Sequence, residues 1–347
     1  MRKTIRFFKE TYKFLYVLWR DNRGQTGLNA DLRIATNGFP AGFTGSWFCD
    51  LIEERTQKKI EFSWYRPSLI FTSLFGSSWL LIILLTTYKQ PSVFFSGENI
   101  KTLKKYREYR NYLGDLPSLA LGFDYIKKDN YCRLPLWLLY IFPARFVAKA
   151  SVVDIQKRLN QIEQQSFLPK QKFAAMIASH DGYYSSRKID GGASMVSRTL
   201  ITRQIQTIKY VHCPGKLLHN DDSLKEDFDD DKKIYLQQFQ FNICSENAAS
   251  PGYVTEKLFE SFEAGAIPVY WGDENPEPTI LNPERILFWT NNSDNKETLD
   301  RIEQLYLSER ERQSFLSVPI FKKSAATAIH SYFEILNTKV IELVQKK

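Results

Sequence analysis

Short apolar runs alternate with polar helical segments along most of this chain, and this alternation is the feature that most limits its possible folds. Between residues 32 and 98 the runs are "LRIAT", "SLIFTSLFG" and "SVFFSGE", and between 173 and 272 they are "FAAMIAS", "YVHCP", "QFNICSE" and "AIPVYWG". Such runs are typical of strands in a mostly parallel sheet whose two faces are covered by helices. The sequence therefore predicts an α/β protein.

The chain has 347 residues, which is more than one ordinary core holds and suits two domains. Hydrophobic residues make up 43% of it, which excludes a disordered or fibrous protein. A polar helical segment over 151–166 leads from the first half into the second. We predict four parts: a basic N-terminal helix over 1–24, a first α/β domain over 25–160, a second over 161–320 and a C-terminal helix over 321–347.

The N-terminal segment is basic and amphipathic, because Lys and Arg outnumber the acidic residues over 1–24. Its apolar side chains recur at spacings of three and four, which lines one face of a helix. These side chains are Ile5, Phe8, Tyr12, Leu15 and Trp19. The pattern fits two arrangements equally well: an interfacial helix on an anionic lipid surface, or a helix packed on its own domain.

The segment from Ser68 to Thr87 carries no charge over twenty residues. A transmembrane helix is one interpretation, because about 20 apolar residues span a bilayer. The interruption at Gly76-Ser77-Ser78 favours a buried strand followed by a short core helix.

The net charge and the spacing of the cysteines and histidines limit the ligands that this chain is expected to bind. The net charge of +8 favours anionic partners, but no run of Lys and Arg with interleaved aromatic residues indicates nucleic-acid binding. The four cysteines form no CxxC pair and no His pair has metal-ligand spacing, which predicts reduced, buried thiols and no zinc site. Asp229–Asp231 could hold a metal, but the neighbouring lysines favour a solvated loop that leads into a helix.

Charged residues interrupt the apolar region that a secretory signal would need, so we predict a cytoplasmic protein, peripheral at the inner face of the membrane.

Residues 246–272, "ENAASPGYVTEKLFESFEAGAIPVYWG", contain the strongest functional signal. A strand leads into this loop, which therefore lies at the carboxyl edge of a sheet, where ligands bind in open α/β folds. A helix that starts near Thr255 would direct its N–H groups and positive dipole end at a ligand. Lys257 suits a phosphate, and Glu256 could accept hydrogen bonds from sugar hydroxyls. A capped surface helix without a ligand is the alternative, since Thr255 and Glu256 are also good capping residues.

The same residues resemble the donor-binding signature of the bacterial-type α-1,3-fucosyltransferases, glycosyltransferase family 10, which reads F-E-N-S, then Y-V/T-T-E-K-L, then A-G-x-I/V-P-V/I-Y-W-G. Upstream, "SRTLITRQIQTIKYVHCPGKLLHN" resembles the family stretch in which an arginine precedes a V-D-x-x-G-K element, and Arg198 and Val211 keep its spacing. Further upstream, "PSVFFSGEN" resembles the family's F-x-T/S-G-E-N segment. The resemblance runs in the correct order from about residue 30 to residue 340.

The resemblance implies the GT-B fold, in which two Rossmann-like domains face each other across a cleft, with the acceptor mainly on the first and GDP-fucose on the second. It implies an inverting transfer of L-fucose from GDP-fucose to O3 of GlcNAc or glucose in a β-galactoside-type glycan. Glu98 would be the general base. Arg198 and Lys257 would neutralise the diphosphate, and Glu256 would hold the ribose.

Four more residues are expected at the donor site: Asn247 and Tyr253 would shape the nucleotide or fucose pocket, His180 would line it, and Glu246 would be structural or sugar-facing. The expected partners are GDP-fucose, an oligosaccharide acceptor and an anionic membrane surface contacted through residues 1–24, without nucleic acid. No cofactor is expected, with stimulation by a divalent metal left open. Two alternatives remain: a transferase with another nucleotide-sugar donor, and a non-catalytic protein that binds a nucleotide or a glycan.

Overall fold

The computed structural model describes residues 2–23, 30–39, 45–181, 198–290 and 294–345. The chain divides into two units: unit 1 contains residues 1–150 and 331–347, and unit 2 contains residues 151–330. The first division falls before the predicted boundary at residue 160, because the helix Val152–Gln165 packs within unit 2. The second falls inside the C-terminal helix rather than at its start.

Six parallel strands form the sheet of unit 1, in the spatial order β2-β1-β3-β4-β5-β6. Their bounds are β1 Leu32–Asn37, β2 Ile60–Phe62, β3 Leu69–Ser73, β4 Ser92–Phe95, β5 Leu119–Gly122 and β6 Tyr131–Arg133. Every residue of β3, β4 and β5 is buried. A parallel sheet that is covered on both faces requires this, which explains why these strands are continuous apolar runs in the sequence.

The helices of unit 1 lie before, between and after these strands. They are α1 Arg2–Arg23, α2 Ser46–Thr56, α3 Ser78–Thr87, α4 Leu136–Ile141 and α5 Ala144–Val147, with a 3-10 segment over Lys104–Leu113. The uncharged segment Ser68–Thr87 is a buried strand followed by a short helix, as predicted. Ser77 ends the loop between β3 and α3 and caps α3, because its hydroxyl accepts a hydrogen bond from the Leu80 N–H at 3.5 Å. Across the described parts of the chain, no helix has both the length and the apolar character needed to cross a membrane.

Unit 2 has a second parallel sheet, in the order β11-β10-β9-β7-β8. Its strands are β7 Lys172–Ala175, β8 Val211–His212, β9 Phe239–Ser245, β10 Ile267–Trp271 and β11 Leu287–Phe288. β9 is the central strand of this sheet, and β10 lies next to it. These two strands are the longest of the sheet, and nearly all their residues are buried. Each strand lies where an apolar run predicts one, apart from β11, for which we predicted none.

The helices of unit 2 are α6 Val152–Gln165, α7 Arg198–Ile205, α8 Ser223–Glu226, α9 Lys232–Leu236, α10 Glu256–Glu263, α11 Lys296–Leu307 and α12 Glu309–Leu316, with a 3-10 segment over Pro283–Arg285. The last helix, α13 Ala325–Gln345, begins in unit 2 and continues in unit 1. Ile329, Phe333, Leu336 and Val340 lie on one side of this helix and are buried.

A glycine sets the packing of α6 against the turn from α10 to β10. Gly265 has a φ of 72°, and a Cβ at this position would lie 2.0 Å from the carbonyl oxygen of Gln165. Only glycine tolerates both the left-handed backbone and this approach. On the same side of α10, the Glu263 carboxylate pairs with Arg158 of α6. The turn that carries the motif helix into β10 is therefore fixed against α6.

The N-terminal helix packs on unit 1, but not through the predicted face. Phe14, Val17 and Leu18 lie against a core cluster that includes Trp64 and Leu80. The predicted apolar stripe points away from this contact, since each of its five side chains is at least half exposed. Of the two predicted arrangements, the packed helix is present, and it leaves the predicted stripe on the surface.

The four cysteines are free and buried, as predicted. Burial raises the pKa of the Cys49, Cys132 and Cys244 thiols to about 12. These thiols are therefore protonated at neutral pH and poor nucleophiles.

Candidate donor-binding site

A cavity of about 290 Å³ opens in unit 2 at the carboxyl ends of β7 and β9. Five of the residues predicted from the sequence line it: His180, Arg198, Asn247, Glu256 and Lys257. They come from three different parts of the chain, namely the end of β7, the start of α7 and the loop from β9 into α10. The topology brings them together because parallel strands end at one edge of the sheet.

Arg198 is fixed at the wall of the cavity. Only 5% of the residue is exposed, and its Nη2 donates to the carbonyl oxygens of Ser245 at 3.0 Å and Glu246 at 3.2 Å. The same nitrogen donates to Oδ1 of Asn247 at 3.1 Å, and Nη1 donates to the carbonyl oxygen of His180 at 3.0 Å. These acceptors are all neutral oxygens, and together they fix the positively charged guanidinium at the cavity wall.

Lys257 provides the second positive charge. Its Nζ lies 3.4 Å from Oε2 of Glu246 and 3.3 Å from Oε1 of Glu256, and it donates to Oγ1 of Thr255 at 2.9 Å. Burial alone would lower the Lys257 pKa, but the carboxylates of Glu256 and Glu246 outweigh it and raise the pKa above its usual value. Burial likewise opposes ionisation of Glu256, yet the nearby Lys257 leaves the Glu256 pKa lowered. Both side chains are therefore ionised at neutral pH.

Glu246 lies behind the cavity wall rather than on it. The residue is 2% exposed, and its Oε1 and Oε2 accept from the Thr255 N–H at 2.8 Å and the Thr255 hydroxyl at 2.6 Å. Because the Thr255 hydroxyl is engaged with Glu246, it does not cap α10. The capped-helix alternative considered for this loop therefore does not describe the role of Thr255. Glu246 instead ties the end of β9 to the start of α10 and positions Lys257.

Tyr253 is also buried, with 1% of the residue exposed. It lies in the loop before α10 and is not among the residues that line the cavity. The neighbouring Gly252 N–H donates to Oδ2 of Asp273 at 2.7 Å, which anchors this loop to the residues after β10. Tyr253 thus contributes to the loop's interior packing.

Two charged residues and one amide of the cavity lining were not predicted from the sequence: Lys232, Glu260 and Asn242. Glu260 lies one helical turn after Glu256, so an i, i+4 comparison along α10 would have found it. Burial and the Glu256 carboxylate raise the pKa of Glu260 to about 7. Lys232 follows Asp231, whose side chain accepts from the Ile234 N–H at 3.0 Å and so caps α9. Asp231 is therefore a helix cap, in agreement with the predicted loop that leads into a helix.

Glu98, the predicted general base, lies in unit 1 on the loop that follows β4. The residue is half-buried. The Ser96 hydroxyl holds its backbone, since it accepts from the Glu98 N–H at 3.3 Å and donates to the Glu98 carbonyl at 2.9 Å. Next to it, Oδ1 of the buried Asn99 accepts from the N–H groups of Lys101 and Thr102. The loop at the carboxyl end of β4 is thus held in one conformation by its own side chains.

Comparisons with solved structures identify the fold. A crystal structure of alpha1,3-fucosyltransferase superposes with a TM-score of 0.56 at 19% identity, covering 91% of this chain and 92% of that chain. A crystal structure of alpha1,3-fucosyltransferase with GDP-fucose gives a TM-score of 0.54 at 18% identity, covering 91% and 93%. At these identities the likeness shows the fold alone. The class expected from the sequence, an α/β protein with two Rossmann-like domains of the GT-B type, is confirmed.

Sequence comparisons give the family. Residues 168–328 match the model described as Glycosyltransferase family 10 (fucosyltransferase) C-term, and residues 43–140 match the Alpha-(1,3)-fucosyltransferase FucT N-terminal domain. The chain belongs to glycosyltransferase family 10. It is 33% identical over 250 residues to an Alpha-(1,3)-fucosyltransferase FucT of Helicobacter pylori, covering 61% of this chain and 44% of that protein. The chain spans less than half the length of the curated relatives that it matches.

Proposed function

We propose that this chain transfers L-fucose from GDP-fucose to a hydroxyl of a glycan, with inversion at the anomeric carbon. The observation that carries the proposal is the cavity of unit 2, which presents two fixed positive charges and a carboxylate at the start of a helix. A nucleoside diphosphate has matching groups, since its phosphates are anionic and its ribose carries hydroxyls that donate to a carboxylate. Membership of family 10 selects GDP-fucose among such donors.

The proposed chemistry divides between donor and acceptor groups. Glu98 accepts the proton of the acceptor hydroxyl as the hydroxyl oxygen bonds to C1 of fucose. The bond between C1 and the β-phosphate oxygen breaks, and GDP leaves with its electron pair. Arg198 and Lys257 stabilise the negative charge that develops on the diphosphate. In this single direct displacement no covalent enzyme intermediate forms, so the anomeric configuration of the product is opposite to that of the donor.

We propose that the two cations of the cavity replace a metal ion, so that transfer needs no cofactor. Among the described residues, no group of three or more His, Cys, Asp or Glu side chains is placed to hold a metal. The proposal rests on Arg198 and Lys257, which already supply the positive charge that a departing diphosphate requires. Transfer in the presence of a strong chelator tests it: retained turnover supports the proposal, and loss that is restored by a divalent metal contradicts it.

The acceptor and the location are further parts of the proposal. We expect transfer to O3 of GlcNAc or glucose in a β-galactoside-type glycan, because this is what the family resemblance implies. Four reduced, buried cysteines are compatible with a cytoplasmic location. Contact with an anionic membrane surface through residues 1–24 is proposed from the basic amphipathic character of α1.

A donor panel tests the proposed function. Thermal unfolding of the full chain is recorded with GDP-fucose, GDP-mannose and UDP-galactose at equal concentrations, followed by transfer assays with a panel of β-galactoside acceptors and linkage analysis. We expect the largest stabilisation with GDP-fucose, because at equal concentrations the ligand with the lowest dissociation constant stabilises the folded state most. Preference for UDP-galactose would contradict the donor assignment. Donor binding without any release of GDP in the presence of acceptors would favour a non-catalytic protein.

A further inference from the structure

α1 has two apolar faces, and its inner face is already occupied. Phe14, Val17 and Leu18 pack against the core cluster of unit 1. The rings of Phe14 and Trp64 meet edge to face, with centroids 4.7 Å apart. α1 is therefore a fixed part of unit 1, held by contacts that an outer-face partner does not need to disturb.

The outer face of α1 consists of six large side chains that are all more than half exposed: Ile5, Phe8, Tyr12, Leu15, Tyr16 and Trp19. At 100° per residue they fall within an arc of about 100° on the helix. Tyr12 is 74% exposed and Phe8 is 65% exposed. Single exposed apolar residues are common on proteins, but a contiguous stripe of six on one helix marks an interaction surface.

Basic residues border one edge of this outer face. Lys9, Lys13 and Arg20 are exposed and follow the apolar arc around the helix, between the outer face and the inner face. The acidic Glu10 is less exposed and lies nearer the inner face. An apolar arc beside a basic edge suits the boundary between acyl chains and anionic headgroups, where aromatic side chains are also favoured.

The neighbouring helix α3 adds a second apolar surface. α3 packs against α1 within unit 1. It buries Leu80, Leu81 and Leu84, while Trp79 is 61% exposed and Ile83 is 44% exposed. Trp79 and Ile83 are one helical turn apart and therefore lie on the same side of α3. Two adjacent helices of one unit thus each bury one apolar face and expose another.

We propose that the outer face of α1 and the pair Trp79 and Ile83 form one rigid surface that docks unit 1 on an anionic lipid bilayer. This rests on the membrane contact proposed above and gives it a defined geometry. Because the inner face of α1 remains packed on unit 1, the helix contacts the bilayer without separating from that unit. The charge beside the outer face indicates an anionic bilayer as its partner, because anionic lipid headgroups attract the Lys and Arg side chains of the basic edge.

Vesicle co-sedimentation of the full chain tests the composite surface. The vesicles are phosphatidylglycerol mixed with phosphatidylcholine, or phosphatidylcholine alone. A triple variant Phe8→Ser, Tyr12→Ser and Trp19→Ser should lower the partition coefficient at least about 10-fold, and a double variant Trp79→Ser and Ile83→Ser about 3- to 10-fold. The matched control is Leu307→Ser at the end of α11, which is 72% exposed in unit 2 and should bind as the unchanged chain does.

Three results would overturn the proposal. Equal binding of the double variant and the unchanged chain would remove α3 from the surface. Equal binding to both vesicle types would remove the role of the basic edge. A dimer that forms without lipid and is lost in the triple variant, measured by sedimentation velocity, would assign the outer face to a second copy of the chain. Thermal stabilisation by GDP-fucose is recorded on the same samples, so that a failure of donor binding is distinguished from a failure of docking.

Discussion

The candidate donor cavity of unit 2 and the Glu98 loop of unit 1 both lie at the carboxyl ends of parallel strands but are built differently. In unit 2, charged groups from several segments converge, and each is held by named partners: Arg198 by four acceptors, Lys257 by two carboxylates and a hydroxyl. In unit 1, one carboxylate follows β4, and neighbouring side chains hold its backbone. Fixed, converging charge suits binding of an anionic donor, whereas a single carboxylate on an ordered loop suits proton transfer. Binding and chemistry should therefore be separable by mutation.

The largest effect is expected at Glu98. Glu98→Gln removes the proton acceptor while conserving shape, so we expect kcat to fall by about 10²- to 10⁴-fold. The dissociation constant of GDP-fucose, measured by calorimetry, should stay within about 2-fold, because the cavity is built entirely from residues of unit 2. Glu256→Gln is the matched control, since it should weaken donor binding instead. Near-normal turnover in Glu98→Gln would remove Glu98 from the mechanism.

An intermediate effect is expected at Glu246. Glu246→Gln removes a carboxylate oxygen that lies against Lys257 and disturbs both bonds to Thr255, so we expect the dissociation constant of GDP-fucose to rise about 10-fold and the free energy of unfolding to fall by about 1–3 kcal/mol. Glu263→Gln provides the control, because Glu263 pairs with Arg158 and Lys233 but does not line the cavity. It should lose stability and keep donor affinity. Equal donor affinity in both variants would show that Glu246 does not position Lys257.

The smallest effect is a pH dependence inside the cavity. With its pKa raised to about 7, Glu260 is mainly neutral at pH 6 and mainly ionised at pH 8. The diphosphate of GDP-fucose keeps a constant charge over this range, so the new negative charge should weaken its binding about 3-fold as the pH rises. Glu260→Gln should flatten this dependence in calorimetric titrations at the two pH values. A slope that persists in the variant would assign the titration to another group.

Much of the fold followed from the sequence, because parallel strands must be buried on both faces and so appear as uninterrupted apolar runs. The segment 131–142 shows the limit of this argument. Its sequence, "YCRLPLWLLYIF", fits a helix or a strand equally well, and the segment contains both, β6 and then α4. Short apolar runs cannot be divided by periodicity alone, and here the change occurs at Leu134-Pro135 between the two elements.

The site residues were predictable where they belong to a family motif. The sequence did not show which of their side chains line the cavity and which are buried behind it. Glu246 and Glu256 are both carboxylates of one loop, but one lies behind the cavity wall and the other on it. No spacing rule separates these two positions. The face of α1 was missed for a related reason: Phe14, Val17 and Leu18 form a second apolar side, and the stronger stripe in the sequence is the one that does not pack. Amphipathic periodicity identifies faces but not their partners.

The passage of α13 from unit 2 into unit 1 sets an order for biosynthesis. Unit 1 precedes unit 2 in the chain, yet its core includes residues that follow unit 2: Phe333 packs on Phe142 with ring centroids 5.2 Å apart, and Nδ2 of Asn337 donates to the Val147 carbonyl at 3.1 Å. On a translating ribosome, unit 2 has all its residues once His330 has emerged, whereas unit 1 still lacks part of its core. The half of the molecule that is synthesised first is therefore the half that finishes folding last.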